Sequence, residues 1–341
     1  LMPQPITAVL AGCGAISRAW LKAVQTMPDV KMVGFVDLYP QTAQERAAEF
    51  GWTDAPIGSE LAAMLEAVHP DCVFDCTVPE AHVDVTLTAL AHGCHVLGEK
   101  PLADSMESAR RSVAAAEAAG KIYAVIQNRR YDPNILRLCD FLASGAIGEI
   151  TNVDADFYIG AHFGGFRDRM QHVLLLDMAI HTFDAARKIS GADAQAVYCY
   201  EWNPQGSWYD QDAAAVAIFE MSGGLVFTYR GSWCAEGLNT TWESEWRIVG
   251  TKGSVRWNGA EGFQAQVVAE TGGFFSKWED LTLPPGPQDM AIGHAGVIRD
   301  FVDCIRSGGT PQTTASDNIK SLAMVFAAIA SAEQHQRVPV V

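Results

Sequence analysis

Between Ile6 and Ile126 short apolar runs take turns with amphipathic stretches, and the alternation is regular enough to predict elements directly. Strands are expected at 7–11, 31–37, 72–77, 95–99 and 122–126, with helices at 16–26, 42–50, 59–68, 81–91 and 105–119. Strand and helix alternating at this spacing imply a doubly wound parallel sheet with helices on both faces. Pro133 then opens a helix to about residue 142, at a position where its missing N–H costs little.

After Gly148 the pattern becomes that of strands. Runs at 153–159, 194–202, 213–221, 225–233, 241–249 and 253–257 are joined by short turns such as Ser222-Gly223-Gly224, and one helix at 174–189 interrupts them. Seven of the nine tryptophans lie beyond residue 200, which fits a broad antiparallel sheet with one packed face. Helices at 295–307 and 315–334 follow. The expected class is therefore α/β, with a nucleotide-binding domain over 1–127 and a second α/β domain over 128–341.

Composition narrows the functions. A chain of 341 residues suits about two domains, and 49% hydrophobic with 19% charged residues describes a globular protein with a sizeable core. The net charge of −16 argues against a surface that tracks nucleic-acid phosphates. No run reaches the roughly 18 apolar residues of a membrane span, and Leu1-Met2-Pro3 has no basic segment with an apolar core behind it, so no signal peptide is expected. The eight cysteines form no Cys-x-x-Cys pair and no metal spacing. They are expected to be reduced thiols, mostly buried, in a cytoplasmic protein.

The candidate chemistry begins at the end of the first strand. Its apolar run stops at Gly12-Cys13-Gly14 and passes through Ala15 and Ile16 into a helix, the context a dinucleotide-binding turn requires. Gly12 permits the tight turn, Gly14 allows close approach of a pyrophosphate, and the helix N-terminus supplies N–H groups for the anion. Ser17 stands at the third position of the fingerprint, where glycine is usual. Asp37 ends the second strand 20 residues later, where it can accept both ribose hydroxyls or simply cap the next helix. No Arg or Lys appears after it before Arg46, so NAD is favoured over NADP.

Other candidates sit at the carboxyl ends of later strands. Thr77 and Pro79 form a turn there, and His82 either approaches the cofactor or packs in the first turn of the following helix. Lys100, in Glu99-Lys100-Pro101, is either aimed into the cleft, where an ammonium stabilises a developing alkoxide, or a surface lysine before a turn. Gln127, Asn128 and Tyr131 end the fifth strand with amide and phenol donors.

In the second half Asp177 and His181 are four residues apart on one helix, with Asp184 three further on sharing their face. An imidazole oriented by a carboxylate can take a hydroxyl proton. The alternatives are a helix-surface ion pair, or a metal held by Asp177, His181 and His172, a ligand set incomplete at this spacing. The loop at 160–172 brings His162, Arg167 and Arg169 ahead of that helix, where an arginine either suits an anionic substrate group or lies on a solvated loop face, the default for such a segment.

Taken in order, Gly12-x-Gly14, Asp37, Thr77-x-Pro79-x-x-His82, Glu99-Lys100-Pro101, Arg129-Arg130-Tyr131 and Asp177-x-x-x-His181 resemble the glucose–fructose oxidoreductase/inositol dehydrogenase (Gfo/Idh/MocA) family. The resemblance implies a Rossmann domain and then an α/β domain with a large open, mostly antiparallel sheet, whose face is often buried in a homodimer or homotetramer. It implies NAD(P)-linked oxidation or reduction of a sugar, cyclitol or related polyol. By position, Lys100, Asp177 and His181 match the family's catalytic set, and the nucleotide would contact Gly12, Gly14, Ala15, Ile16, Asp37, Thr77, Pro79, His82, Glu99, Lys100 and Gln127. Substrate would contact Lys100, Asn128, Tyr131, His162, Arg167, Asp177 and His181, with no metal. Some relatives use the cofactor transiently to cleave glycosides, and others are non-catalytic sensors. Where many members carry glycines before the Asp-x-x-x-His helix, this chain reads Gln171-His172-Val173-Leu174-Leu175-Leu176, which alters the pocket wall.

Overall fold

The predicted alternation of the first 126 residues becomes a single parallel sheet. The computed structural model describes residues 4–341, and the expectation drawn from Leu1-Met2-Pro3 lies outside them. The first elements are β1 (Ile6–Ala11), α1 (Ser17–Gln25), β2 (Val30–Val36), α2 (Pro40–Glu49), β3 (Ile57–Gly58), α3 (Leu61–Val68), β4 (Cys72–Asp75), α4 (His82–Ala91), β5 (His95–Gly98), α5 (Met106–Ala119) and β6 (Tyr123–Val125). The strands lie in the order β3-β2-β1-β4-β5-β6, the Rossmann order, with every pairing parallel. The two-residue β3 is too short to show a period and escapes sequence analysis. α5 illustrates the local logic of the helices: the Ser105 hydroxyl accepts from Ser108 N at 3.2 Å, and Gly120 ends the helix in the left-handed region.

Strand register matters most for function. Val36, Ala11, Asp75, Gly98 and Val125 occupy one row across five strands. The residues that follow them, Asp37, Gly12, Cys76, Glu99 and Ile126, therefore all emerge at the carboxyl edge. Bonds from Gly12 N to Val36 O (2.8 Å), Cys76 N to Ala11 O (2.7 Å) and Glu99 N to Asp75 O (2.8 Å) continue the ladder one residue beyond the strands.

The second half starts with α6 (Pro133–Ala143), whose cap Asp132 accepts from the N–H groups of Asn134 and Ile135. Then come β7 (Ile150–Tyr158), a π-helical segment at Leu174–Ala179, α7 (Ile180–Ser190), β8 (Ala194–Trp202), β9 (Ala214–Met221), β10 (Val226–Ser232), β11 (Glu245–Gly250), β12 (Gly253–Trp257), β13 (Phe263–Glu270) and β14 (Lys277–Leu281). With β15 (Val338–Pro339) they form a nine-stranded sheet ordered β14-β13-β12-β11-β7-β10-β9-β8-β15, in which only β7 and β10 pair in parallel.

Val153, Ala155 and Phe157 of β7 face the buried side, while Asp154 and Asp156 alternate to the outer side. α7 covers the inner face, its Phe183 ring meeting Phe219, Tyr229 and Phe227 edge-on at 4.8, 5.2 and 6.0 Å. The three strands of this sheet that have no counterpart among the expected ones, β13, β14 and β15, lie towards its two ends. All of β14 but its last residue is exposed, so no buried alternation marks it, and β15 has two residues.

Two compact units result. One runs to Tyr131 and takes in Met290–Ile319; the other holds Asp132–Asp289 and Lys320–Val341. The expected linear division at 127/128 therefore misplaces α8 (Gly293–Ser307), which precedes α9 (Ala315–Gln334). Val297, Ile298, Phe301 and Val302 of α8 belong to the same core as Trp20 and Phe74, and this apolar stripe carries the helix back to the first unit. No helix among the described residues is long and apolar enough to cross a membrane.

Candidate active site

The glycine turn after β1 is built against backbone. Gly12 has φ +83°, and a Cβ there would lie 2.6 Å from the Cys76 carbonyl carbon and oxygen, so only glycine lets β1 and β4 end side by side. A Cβ on Gly14 would meet no atom within 4 Å, which leaves the open space the sequence predicts for a phosphate. Ser17 is buried and its hydroxyl donates to Gly14 O at 2.6 Å, so the departure at the third position ties the turn to its helix.

Arg46, which sequence analysis uses only as a distant cation, is buried beneath the same turn. It donates to Cys13 O (3.2 Å) and Gly14 O (3.3 Å) and pairs with Glu49. Asp37 accepts from Cys13 N through Oδ2 (2.8 Å) and from Tyr39 N through Oδ1 (2.9 Å), which orients its carboxylate at the turn. α2 has no side-chain cap, so the capping alternative does not describe Asp37. Burial, with the Asp37 charge beside it, pushes the Cys13 thiol up to about 12.

Asp75, at the end of β4, organises the next turn and escapes sequence analysis. Its Oδ1 accepts from Thr77 N (3.0 Å) and Thr77 Oγ1 (2.6 Å), and its Oδ2 contacts His82 Nδ1 at 2.8 Å. His82 is only 1% exposed and packs in the first turn of α4, where Nδ1 serves Asp75 while Nε2 has no hydrogen-bond partner in the protein. Burial opposes its proton, but the Asp75 carboxylate prevails and raises the imidazole above its usual range. The one available signal was a carboxylate closing an otherwise apolar strand, Cys72-Val73-Phe74-Asp75.

After β5 the Glu99 side chain turns inward, another departure from its expected cofactor role. It accepts from Trp20 Nε1 (2.7 Å) and from Lys100 N (3.1 Å), anchoring the backbone of the half-buried Lys100; the Lys100–Pro101 bond is cis. His294 Nε2 stands 4.0 Å from Glu99, and Asn128 Nδ2 3.5 Å from His294 Nδ1. Burial holds His294 below the usual imidazole range. Gln127 is buried, and neither polar atom of its carboxamide has a hydrogen-bond partner in the protein. Tyr131, expected to touch substrate, is instead buried with its phenol bonded to Asp300, because the 3-10 turn Asn128–Tyr131 points it at α8.

In the second unit Asp177 lies in the π-helical segment and His181 in the first turn of α7. The wider π turn alters the spacing between Asp177 and His181, and Asp184 follows His181 within the regular turns of α7. Asp184 is buried, accepting from Ser321 Oγ at 2.7 Å beside Arg187. Asp177 is held by Arg167, through Nε at 2.7 Å and Nη2 at 3.4 Å. The expectation that Arg167 receives a substrate anion is corrected accordingly, since its guanidinium already faces a carboxylate.

His162 is exposed, stacked on Trp208 at 3.7 Å and paired with Glu236. His172 contacts Glu201 at 2.6 Å, and that hydrogen bond raises its imidazole above the usual range despite partial burial. Among the described residues no three His, Cys, Asp or Glu side chains gather as a metal site, so the set of Asp177, His181 and His172 is not assembled.

Comparison with known proteins agrees with this geometry. The profile of an oxidoreductase family with an NAD-binding Rossmann fold, GFO_IDH_MocA, matches residues 6–127, and that of the GFO/IDH/MocA C-terminal domain matches 135–256. The D-apiose dehydrogenase of Paraburkholderia graminis is 25% identical, covering 96% of this chain and 88% of that protein. The inositol 2-dehydrogenase of Rhizobium meliloti is 24% identical, covering 97% and 98%. The crystal structure of an Agrobacterium radiobacter oxidoreductase in complex with NAD+, L-tartaric acid and magnesium superposes with a TM-score of 0.85, at 23% identity over 99% of both chains.

Proposed function

Because the chain belongs to the GFO/IDH/MocA family of NAD-binding oxidoreductases, we propose that it is an NAD-dependent dehydrogenase oxidising a secondary alcohol of a sugar, cyclitol or related polyol. The observation that carries this reading is the carboxyl edge of the first sheet. The glycine turn, the oriented Asp37 and the Thr77 turn project there, with the buried, unsatisfied Gln127 carboxamide after β6. These groups fit a dinucleotide: N–H donors at the start of α1, a carboxylate for ribose hydroxyls, and an amide awaiting a polar partner. NAD, when bound, supplies the hydride acceptor.

The chain's own residues then divide the work on the alcohol. The Lys100 ammonium, on a backbone anchored through Glu99, holds the hydroxyl oxygen and stabilises the charge that develops on it. The His181 imidazole takes the hydroxyl proton, and the Asp177 carboxylate orients it. Nothing in these roles requires a metal. The sugar-type substrate follows the named activities of the relatives.

The test is a panel of polyols and sugars with NAD, followed at 340 nm. Lys100→Ala and His181→Ala should each lower kcat by about 10²–10⁴-fold while NAD binding persists. Full turnover in both variants would overturn the role assignment, and aglycone release without accumulating NADH would replace net oxidation by glycoside cleavage. The same proposal includes a homo-oligomer formed through the outer face of the second sheet, a reading supported by the exposed Tyr198, Tyr200 and Ile218. Light scattering should show a dimer or tetramer that Tyr200→Asp dissociates, and a monomeric parent protein would refute it.

A further inference from the structure

We propose that Arg167 is the positioning residue of Asp177, a clamp that fixes the carboxylate of the acid–base pair. The inference rests on the reading of Asp177 given above. Its basis is a contact ten residues long in sequence but local in the second unit. Arg167 Nε reaches Asp177 Oδ2 at 2.7 Å and Nη2 reaches Oδ1 at 3.4 Å, so the planar guanidinium spans both oxygens. Two-point contact removes the rotation about the last side-chain bond that a single hydrogen bond would leave.

The cation is itself held in place. Its guanidinium carbon stands 4.9 Å from the ring centres of both Phe163 and Phe166, within range for a cation against aromatic faces. The loop that carries it is tied down at two further points. Ala161 O accepts from Trp208 Nε1 (3.1 Å) and Tyr209 Oη (2.9 Å), and Asp168 O accepts from Asp210 N (2.7 Å). Gly164 and Gly165, at φ +70° and +73°, turn the backbone so that residues 163 and 166 can flank residue 167.

Two consequences follow. A carboxylate gripped at both oxygens presents a fixed acceptor to its partner. A guanidinium so engaged does not select substrate by negative charge, so the site takes a neutral polyol in preference to a sugar acid.

The test uses the full-length protein, NAD, the most rapidly oxidised neutral polyol among myo-inositol, D-glucose and D-xylose, and D-glucuronate as an anionic competitor. Arg167→Gln should lower kcat at least tenfold with NAD binding unchanged. It should also move the acid limb of the kcat/KM profile to higher pH, as loss of a neighbouring cation does for a carboxylate. Arg167→Lys, which keeps the charge but not the fork, should restore the pH limb more than kcat. Millimolar guanidinium should partly rescue Arg167→Gln, and the inhibition constant of D-glucuronate should not change.

An unchanged kcat and pH profile overturns the proposal. So does an Arg167→Gln effect confined to weaker D-glucuronate binding, which would make Arg167 a substrate contact. Asp177→Asn separates the two levels: if it is inactive while Arg167→Gln is normal, only the clamp fails; if Asp177→Asn is fully active, the acid–base reading fails as well. Should Arg167→Gln not fold, Phe166→Leu, which removes one exposed ring from the sandwich, must give a smaller shift of the same limb in the same direction.

Discussion

Removing the Asp75 carboxylate offers the sharpest test of how the nucleotide edge is built. Its two oxygens receive Thr77 N, Thr77 Oγ1 and His82 Nδ1 at 3.0, 2.6 and 2.8 Å, and the residue is only 1% exposed. In Asp75→Ala the threonine hydroxyl can turn towards His82 Nδ1, 3.3 Å away, but Thr77 N–H loses its acceptor and the buried imidazole loses its carboxylate. Each orphaned buried donor costs about 1–3 kcal/mol, so the loss should be roughly 2–6 kcal/mol, against a typical total of about 5–15 kcal/mol. Asp75→Asn keeps one acceptor oxygen, and His82 can change tautomer to accept from the amide, so about 1–2 kcal/mol is expected.

Urea unfolding followed by far-UV dichroism measures both values, and NAD titration reads the effect on the Thr77 turn. The pair also has a pH signature. His82 is raised above its usual value, so its contribution is fully present below the unfolded imidazole pKa and fades as pH rises through the folded one. The gap between the parent protein and Asp75→Asn should therefore be wider at pH 6 than at pH 9. A loss below 1 kcal/mol in Asp75→Ala, or a gap that widens with pH, would falsify this account.

Two other outcomes are expected. Gly12→Ala forces a Cβ to within 2.6 Å of the Cys76 backbone at φ +83°, so thermal unfolding should fall by several degrees and NAD affinity at least tenfold; near-normal values in both would show that the β1–β4 contact is not rigid. NAD should bind more tightly than NADP, and Asp37→Ala should narrow that preference at least tenfold, because Arg46 is already engaged by two carbonyls and Glu49; equal binding by the parent protein would refute the argument from charge.

The sequence alone was enough for whatever is written in local periodicity. The β-α alternation, the turn at Gly12, the carboxylate at residue 37 and the change of texture after Gly148 are short-range patterns, and the elements follow them closely. Even the helices α8 and α9 were legible, since each is a long apolar stripe. What the sequence could not decide was which elements meet. Trp20 bonds Glu99 across 79 positions, Tyr131 bonds Asp300 across 169, and α8 joins the first core from the far end of the chain.

Those pairings turned Glu99 and Tyr131 from expected ligand contacts into supports, and brought Asp75, Arg46 and His294 into the site. The π-helical turn at Asp177 had no signal either, because it alters the helical period itself, and the buried partner of Asp184 lies 137 positions along the chain. A residue's type and spacing report the chemistry it can offer. Its partner is set by packing between segments distant in sequence, where a buried polar group must be satisfied by whatever the fold brings within 3 Å.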